Sequence, residues 1–147
     1  DLAAGKGTLV DPNFYREHVF PWMKKIADIA HSHDMPFGLH SCGDNELIME
    51  DLINYVGLNA KHSFQDNVMP VEKFKDKYKD RLCVLGGLDI DKMTLMKPEE
   101  FRVYCKKTLN HCMQGGGYAL GTGNSPTTYI NLDNYYVMIE EGFKAYY

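Results

Sequence analysis

The stretch GLHSCGD at positions 38–44 places a histidine and a cysteine, His40 and Cys42, two positions apart. Both residue types commonly bind transition metals in proteins. On a β-strand, residues at positions i and i+2 point to the same face. An imidazole nitrogen and a thiolate on one face suit zinc, which bonds such atoms at about 2.0–2.3 Å. A catalytic zinc takes three protein ligands, so the spacing alone leaves two alternatives, a metal site and an ordinary strand end.

Polar or glycine-rich segments follow each of four predicted strands, at positions 40–44, 61–63, 86–89 and 121–124. In parallel α/β folds, the carboxyl ends of the strands form the rim that binds ligands. The alternative is that these loops are polar because they contact water and cap helices. We predict a functional site at this rim, where His62 is close enough to serve as a third metal ligand or as an acid or base.

The elements that position this rim alternate between short apolar runs and amphipathic segments. Strands are predicted over 35–39, 56–60, 82–85 and 118–120. Helices are predicted to begin at Pro12, near Asp44 or Asn45, at Pro70, at Pro98 and at Asn131. This alternation predicts a parallel sheet with right-handed crossovers, either in an open doubly wound sheet or in part of a barrel.

Two helices carry distinct apolar stripes. In the first, Pro21 interrupts the stripe and predicts a kink or two abutting helices; the members of this stripe are Val19, Trp22, Ile26, Ile29 and Ala30. The stripe of the helix that begins at Pro98 contains Phe101, Tyr104, Cys105, Thr108, Leu109 and Cys112. Because Cys105 and Cys112 belong to this second stripe, they are expected to be buried.

The composition excludes several classes of protein. The 147 residues carry a net charge of −4, with 44% hydrophobic and 24% charged residues, which is ordinary for a globular protein. Lysine and arginine are scattered, so we expect no nucleic-acid surface. No apolar run approaches the ~20 residues of a membrane span, and no signal peptide is visible. We interpret the four cysteines as reduced thiols of a cytoplasmic protein.

Taken together, the motifs resemble the uroporphyrinogen decarboxylase superfamily. The resemblance rests on the segments DLAAG (1–5), Phe20-Pro21 within a helix, HSCG (40–43), GGLD (86–89) and GTG (121–123). It runs from end to end of the chain and corresponds to the C-terminal part of a family member, which is a complete (β/α)₈ barrel. It implies an α/β fold in a single domain over 1–147: the C-terminal half of a TIM barrel, with four parallel strands each followed by a helix.

Within this superfamily, the motifs are more similar to zinc-dependent methyltransferases than to true decarboxylases. Decarboxylases have serine where Leu2 stands, GNLDP where residues 86–90 read GGLDI, and histidine where Thr122 stands. Methyltransferases have His-x-Cys, matched by His40 and Cys42, and Pro-Thr-Thr, matched by residues 126–128. Their third zinc ligand is a cysteine at the position of Thr122, and there the chain departs from the pattern.

The resemblance implies specific roles for the rim residues. It implies that His40 and Cys42 bind zinc and that Asp89 and His62 are catalytic. The implied substrate contacts come from Asp1, Gly87, Thr122 and Asn124. The implied reaction transfers a methyl group from a corrinoid protein to a small-molecule thiol, which zinc converts to a thiolate. The alternatives are a uroporphyrinogen decarboxylase, acting on a tetrapyrrole in porphyrin biosynthesis, and a non-catalytic half-barrel that binds a partner.

Four strand–helix units do not close an eight-stranded barrel. Such a half-barrel has two unpaired sheet edges and an apolar inner face, which favour association. We therefore predict that the strands lie in sequential order and that this chain self-associates.

Overall fold

A computed structural model describes residues 1–146. The chain opens with a short antiparallel hairpin of β1 (Ala3–Ala4) and β2 (Gly7–Thr8), which the sequence pattern did not predict. This hairpin contacts the loop at 41–45: the backbone N–H of Asp44 donates to the carbonyl of Gly5 at 2.9 Å. The N-terminal residues thereby lie beside the stretch that carries Cys42.

The centre of the fold is a four-stranded parallel sheet. Its strands are β3 (Gly38–His40), β4 (Ala60–His62), β5 (Cys83–Leu85) and β6 (Tyr118–Ala119), and they lie in the order β3-β4-β5-β6. This sequential order confirms the predicted half-barrel and rules out the doubly wound alternative. In the register of the first pair, His40 lies directly opposite His62.

The first helical region is interrupted as Pro21 predicted. It consists of α1 (Pro12–Phe14), a π-helical turn (Tyr15–Val19) and α2 (Phe20–Ser32). The side chain of Asp11 caps its start by accepting from the N–H of Asn13 at 2.8 Å. Proline lacks an N–H and clashes with the preceding turn, and the wider π-helical turn just before Pro21 accommodates both defects.

The apolar stripe predicted for this region does not face the core. Trp22, Ile26 and Ile29 are 58–64% exposed, whereas Phe20 and Ala27 are fully buried. Helical periodicity marks an apolar face, but it does not specify which surface covers that face. The helix that this spacing predicted is present, and most of its stripe lies on the exposed surface.

Each strand of the parallel sheet is followed by one or more helical segments. A run of 3₁₀ helix (Glu46–Ile48), α3 (Met49–Asp51) and π-helix (Leu52–Val56) follows β3, and α4 (Val71–Tyr78) follows β4. After β5 come α5 (Ile90–Leu95), which was not predicted, and α6 (Pro98–Cys112); α7 (Leu132–Tyr146) follows β6. Within residues 1–146, no helix combines the length and the apolar character that a membrane crossing requires.

Two predicted strands are shifted toward the C-terminus. The strand predicted over 56–60 begins only at Ala60, because Gly57 ends the preceding helical run in the left-handed conformation, with φ 85°. The strand predicted over 35–39 runs from Gly38 to His40. Both shifts place a histidine at the last strand position, at the rim.

Two clusters of buried side chains form the core. The larger joins α2, the helical run after β3, and α4, around Leu52, Val56 and Phe74. The smaller packs α6 against α7 and includes Phe101 and Cys105. The stripe predicted for α6 is confirmed, since most of its members are buried.

Candidate metal centre at the strand ends

His40 and Cys42 converge at the end of β3. His40 is the last residue of the strand, and its Nε2 lies 3.5 Å from the Sγ of Cys42. A tetrahedral zinc with Zn–N of about 2.05 Å and Zn–S of about 2.3 Å separates its nitrogen and sulfur ligands by roughly 3.5 Å. The observed separation therefore fits one zinc ion between the two atoms.

A carboxylate completes a group of three potential ligands. One ligand atom each from Asp1, His40 and Cys42 lies within 4.8 Å of the other two. Asp1 Oδ1 accepts a hydrogen bond from the Cys42 backbone N–H at 3.0 Å and lies 3.9 Å from His40 Nε2. Nitrogen, thiolate and carboxylate donors are the set that zinc binds in proteins. Asp1, which the sequence resemblance assigned to substrate, thus lies where a third ligand is needed.

Two polar side chains approach the Cys42 sulfur from neighbouring loops. Asn124, which follows β6, directs its amide Nδ2 at Cys42 Sγ at 3.2 Å. Ser63, just after β4, has its Oγ 3.5 Å from the same sulfur. The Asn124 amide donates to the sulfur, whereas either atom is able to donate in the Ser63–Cys42 pair, so both side chains hold the Cys42 sulfur in place at the rim.

The loop that carries Cys42 is held rigid from inside. The Asn45 side-chain amide donates to the carbonyls of Ser41, Cys42 and Gly43 at 2.9–3.3 Å, and its Oδ1 accepts from the Ser41 hydroxyl at 2.9 Å. A Cβ at Gly43 would lie 2.6 Å from the backbone nitrogen of Ala4, so only glycine fits there. Sequence reasoning treated Asn45 only as a possible helix cap and missed this role.

Lys61 is a buried cation directly behind the site. Its side chain is enclosed, with 3% of the residue exposed, and its ammonium donates to the carbonyls of Ser41 at 3.2 Å and Ser63 at 2.9 Å. Burial lowers the pKa of Lys61 to about 8, while the negative charge of Cys42 acts in the opposite direction. Lys61 thus joins the ends of β3 and β4, a role that its residue type did not suggest.

The environment of His40 favours its neutral form. Burial lowers the pKa of His40, and the positive charges of His62 and Lys61 lower it further. A histidine binds a metal only through a deprotonated nitrogen. The lowered pKa therefore leaves His40 in the ligating form at neutral pH.

His62 stands next to the group of three, outside it. Its Nδ1 lies 2.7 Å from His40 Nδ1, and its Nε2 lies 3.0 Å from the carbonyl oxygen of Thr122. Both ring nitrogens of His62 have partners, and His62 is not one of the three grouped ligands, so its role as a third ligand remains a prediction. Its predicted role as an acid or base remains a prediction.

The other residues implied to be in the site occupy supporting positions. Asp89 is 8% exposed and caps α5: its Oδ1 accepts from the N–H of Lys92 at 3.1 Å, and its Oδ2 from the N–H of Asp66 at 2.9 Å. A Cβ at Gly87 would lie 2.5 Å from a Val71 methyl group, so close packing explains this glycine. The roles predicted from the resemblance for Asp89, Gly87 and Thr122 remain predictions.

A cleft of about 320 Å³ opens beside the metal group. This volume is at the lower end of the range for small-molecule sites. Asn124 belongs to the wall of the cleft and also contacts Cys42, so the cleft and the metal group adjoin. The lining residues are Phe64, Gln65, Asp89, Ile90, Asp91, Asn124, Ser125, Thr127 and Tyr129.

Solved structures share this fold. A methyltransferase from Methanosarcina mazei superimposes with a TM-score of 0.68 and 20% sequence identity, over 95% of this chain and 39% of that chain. The chain thus spans about two fifths of the length of that methyltransferase, and at this identity the likeness establishes the fold.

Sequence comparison gives the family. No curated protein matches this chain. The family model described as uroporphyrinogen decarboxylase (URO-D) matches residues 2–142, which is nearly the whole sequence. The chain therefore belongs to the uroporphyrinogen decarboxylase family.

Proposed function

We propose that this chain carries the metal-binding part of a methyltransferase-like active site, in which His40, Cys42 and Asp1 hold zinc. The observation that carries the proposal is the convergence of these three ligand types within 4.8 Å at the strand ends. The 3.5 Å separation of His40 Nε2 and Cys42 Sγ is compatible with zinc. The fold shared with a methyltransferase from Methanosarcina mazei is consistent with this assignment.

In this proposal, the chain's own residues prepare and orient the reactants. Zinc bound there would lower the pKa of an acceptor thiol and supply a thiolate at neutral pH. Cys42 and Asp1 contribute negative charge to the site, and His40 contributes a neutral nitrogen. Asn124 spans from Cys42 to the cleft, where it is able to orient the acceptor.

The methyl group would come from a corrinoid presented by a partner protein. The acceptor thiol would lose its proton to solvent, and its sulfur would form the new carbon–sulfur bond as the methyl group leaves cobalt. The electron pair of the carbon–cobalt bond would stay on the corrinoid, which would be released reduced by two electrons, and the other product would be a thioether. Three carboxylates in or beside the cleft (Asp1, Asp89 and Asp91) favour a neutral or cationic acceptor over an anionic one.

A tetrapyrrole decarboxylase is less well supported. Its substrate carries several carboxylates, which cationic side chains must recognise. Among the described residues that line the cleft, none is lysine or arginine and two are aspartate. This charge arrangement does not suit a polycarboxylate.

Zinc analysis tests the metal site. The chain is expressed with added zinc, desalted, and analysed by inductively coupled plasma mass spectrometry. We expect bound zinc that is lost in His40→Ala and Cys42→Ser and retained in Cys83→Ser, which removes an exposed thiol from β5 outside the group. Absence of zinc from a folded wild-type protein would overturn the proposed function.

Methyl transfer is tested with free methylcobalamin as the donor. A small neutral thiol is the acceptor, and the thioether product is measured by mass spectrometry. We expect product from zinc-loaded protein and none from Cys42→Ser. Equal product from both proteins would show that the metal group is not used.

A further inference from the structure

We infer that His62 is a positioning residue that fixes which nitrogen of His40 carries the proton. It thereby keeps the His40 Nε2 lone pair directed at Cys42 and Asp1. The consequence for metal binding rests on the proposed function, but the proton positions are a property of the metal-free chain. Catalytic contact with substrate is not required of His62 in this role.

The direction of these two hydrogen bonds is fixed, because the Thr122 carbonyl is able only to accept. The carbonyl oxygen of Thr122 only accepts hydrogen bonds, so the His62 Nε2, 3.0 Å away, must carry a proton. A neutral His62 then has an unprotonated Nδ1, which accepts a hydrogen bond. His40 Nδ1, 2.7 Å from it, must therefore be the donor.

The tautomer of His40 follows from this chain. A neutral imidazole has one N–H and one lone pair. With the proton on Nδ1, the lone pair of His40 lies on Nε2, which is the nitrogen 3.5 Å from Cys42 Sγ and 3.9 Å from Asp1 Oδ1. Without a partner for Nδ1, His40 is free to carry its proton on Nε2, and that tautomer has no lone pair facing the group.

The backbone positions the groups that form these two hydrogen bonds. The parallel register pairs His40 with His62 on adjacent strands, and their ring centroids are 4.8 Å apart. Gly86, just after β5, lies against the second hydrogen bond, between His62 and the Thr122 carbonyl. A Cβ there would collide with the Thr122 carbonyl oxygen and approach His62 Cδ2 to 2.9 Å. Gly86 has a φ of 79°, so glycine satisfies both the backbone conformation and the space that His62 and Thr122 need.

Ligating histidines depend on such partners. A group that binds the second ring nitrogen fixes the tautomer and the ring orientation, and its loss typically lowers metal affinity about 10–100-fold. The usual partner is a carboxylate, a carbonyl or water. Here it is a second histidine that is itself oriented by a carbonyl.

Nitrogen-15 NMR of the metal-free chain tests the proton positions. Histidine-labelled protein is studied with a chelator at pH 8, above the ordinary histidine pKa of about 6.5, by long-range proton–nitrogen correlation. We expect the Nδ1–H tautomer for His40 and the Nε2–H tautomer for His62. In His62→Leu, which has no acceptor, the Nδ1–H preference of His40 should be lost. In His62→Asn, the Oδ1 takes the place of Nδ1 and should restore it.

Zinc affinity, measured by competition with a chromogenic chelator, tests the consequence. We expect a loss of about 10–100-fold in His62→Leu, partial recovery in His62→Asn, and no change in His111→Leu, which removes a histidine paired with Asp76 outside the site. An Nε2–H tautomer for His40 in wild type would overturn the inference, as would an unchanged zinc affinity and His40 tautomer in a folded His62→Leu. If the wild-type tautomers are as expected but no zinc binds, the positioning inference stands and the proposed metal function fails.

Discussion

Replacement of Lys61 by methionine should change the pH dependence of stability. Lys61 is 3% exposed, its ammonium lies 4.7 Å from the Phe64 ring centroid, and burial lowers its pKa from 10.5 to about 8. At about 1.4 kcal/mol per pKa unit, this shift corresponds to a change of about 3–4 kcal/mol in the free energy of unfolding between the two pH limits. Methionine fills a similar volume and does not titrate.

The sign follows from proton binding in the two states. Between pH 8 and 10.5, the unfolded chain keeps the Lys61 proton while the folded chain releases it, so the free energy of unfolding rises with pH. The contribution is fully present above pH 10.5 and is lost as the pH falls through about 8. Other groups also titrate in this range, so only the difference between wild type and Lys61→Met isolates it.

The measurement is urea unfolding of both proteins from pH 7 to pH 10.5. The stability of wild type relative to Lys61→Met should increase by about 2–3 kcal/mol across this range. Lys107→Met, which removes an exposed lysine of α6, should run parallel to wild type. Parallel curves for wild type and Lys61→Met would refute the conclusion that Lys61 is a charged, desolvated group in the folded chain.

Three further predictions concern thiols, the loop and assembly. Brief alkylation of metal-free protein, mapped by mass spectrometry, should label Cys42 and leave Cys105 and Cys112 unlabelled. These two thiols are buried, and burial raises their pKa to about 12. Early labelling of either one would contradict the packing of α6. Asn45→Ala should lower the free energy of unfolding by about 2–3 kcal/mol, because the carbonyls of residues 41–43 lose a donor and the buried Ser41 hydroxyl loses its acceptor. Chemical denaturation measures this loss, and a value under about 0.5 kcal/mol would contradict the prediction. Light scattering over a concentration series should show self-association through the open sheet edges, and a monomer at all concentrations would exclude it.

Local sequence signals predicted the parts of the fold that depend on local rules. Pro98 and the spacing from Phe101 to Cys112 were enough to define α6, because a helix start and a 3.6-residue stripe are local features. The sequential sheet followed from strand–helix alternation and the family resemblance. Strand periodicity predicted that His40 and Cys42 share a face, but β3 ends at His40, and Cys42 reaches the histidine from the loop that follows.

What the sequence did not predict depends on contacts between distant segments. The contact between Asn124 and Cys42 joins residues 82 positions apart. The pairing of His40 with His62 depends on strand register, and no local pattern specifies it. Lys61 was overlooked because lysine is ordinarily a surface residue, and only the meeting of two loops supplies the carbonyl acceptors that its buried ammonium needs.

X-ray absorption at the zinc edge of the loaded chain shows whether His40, Cys42 and Asp1 hold one zinc ion. We expect one sulfur neighbour at about 2.3 Å and nitrogen or oxygen neighbours at about 2.0–2.2 Å. The sulfur contribution should vanish in Cys42→Ser and persist in Cys83→Ser. A zinc shell without sulfur, a shell with two or more sulfurs, or a sulfur signal that survives Cys42→Ser would contradict the claim.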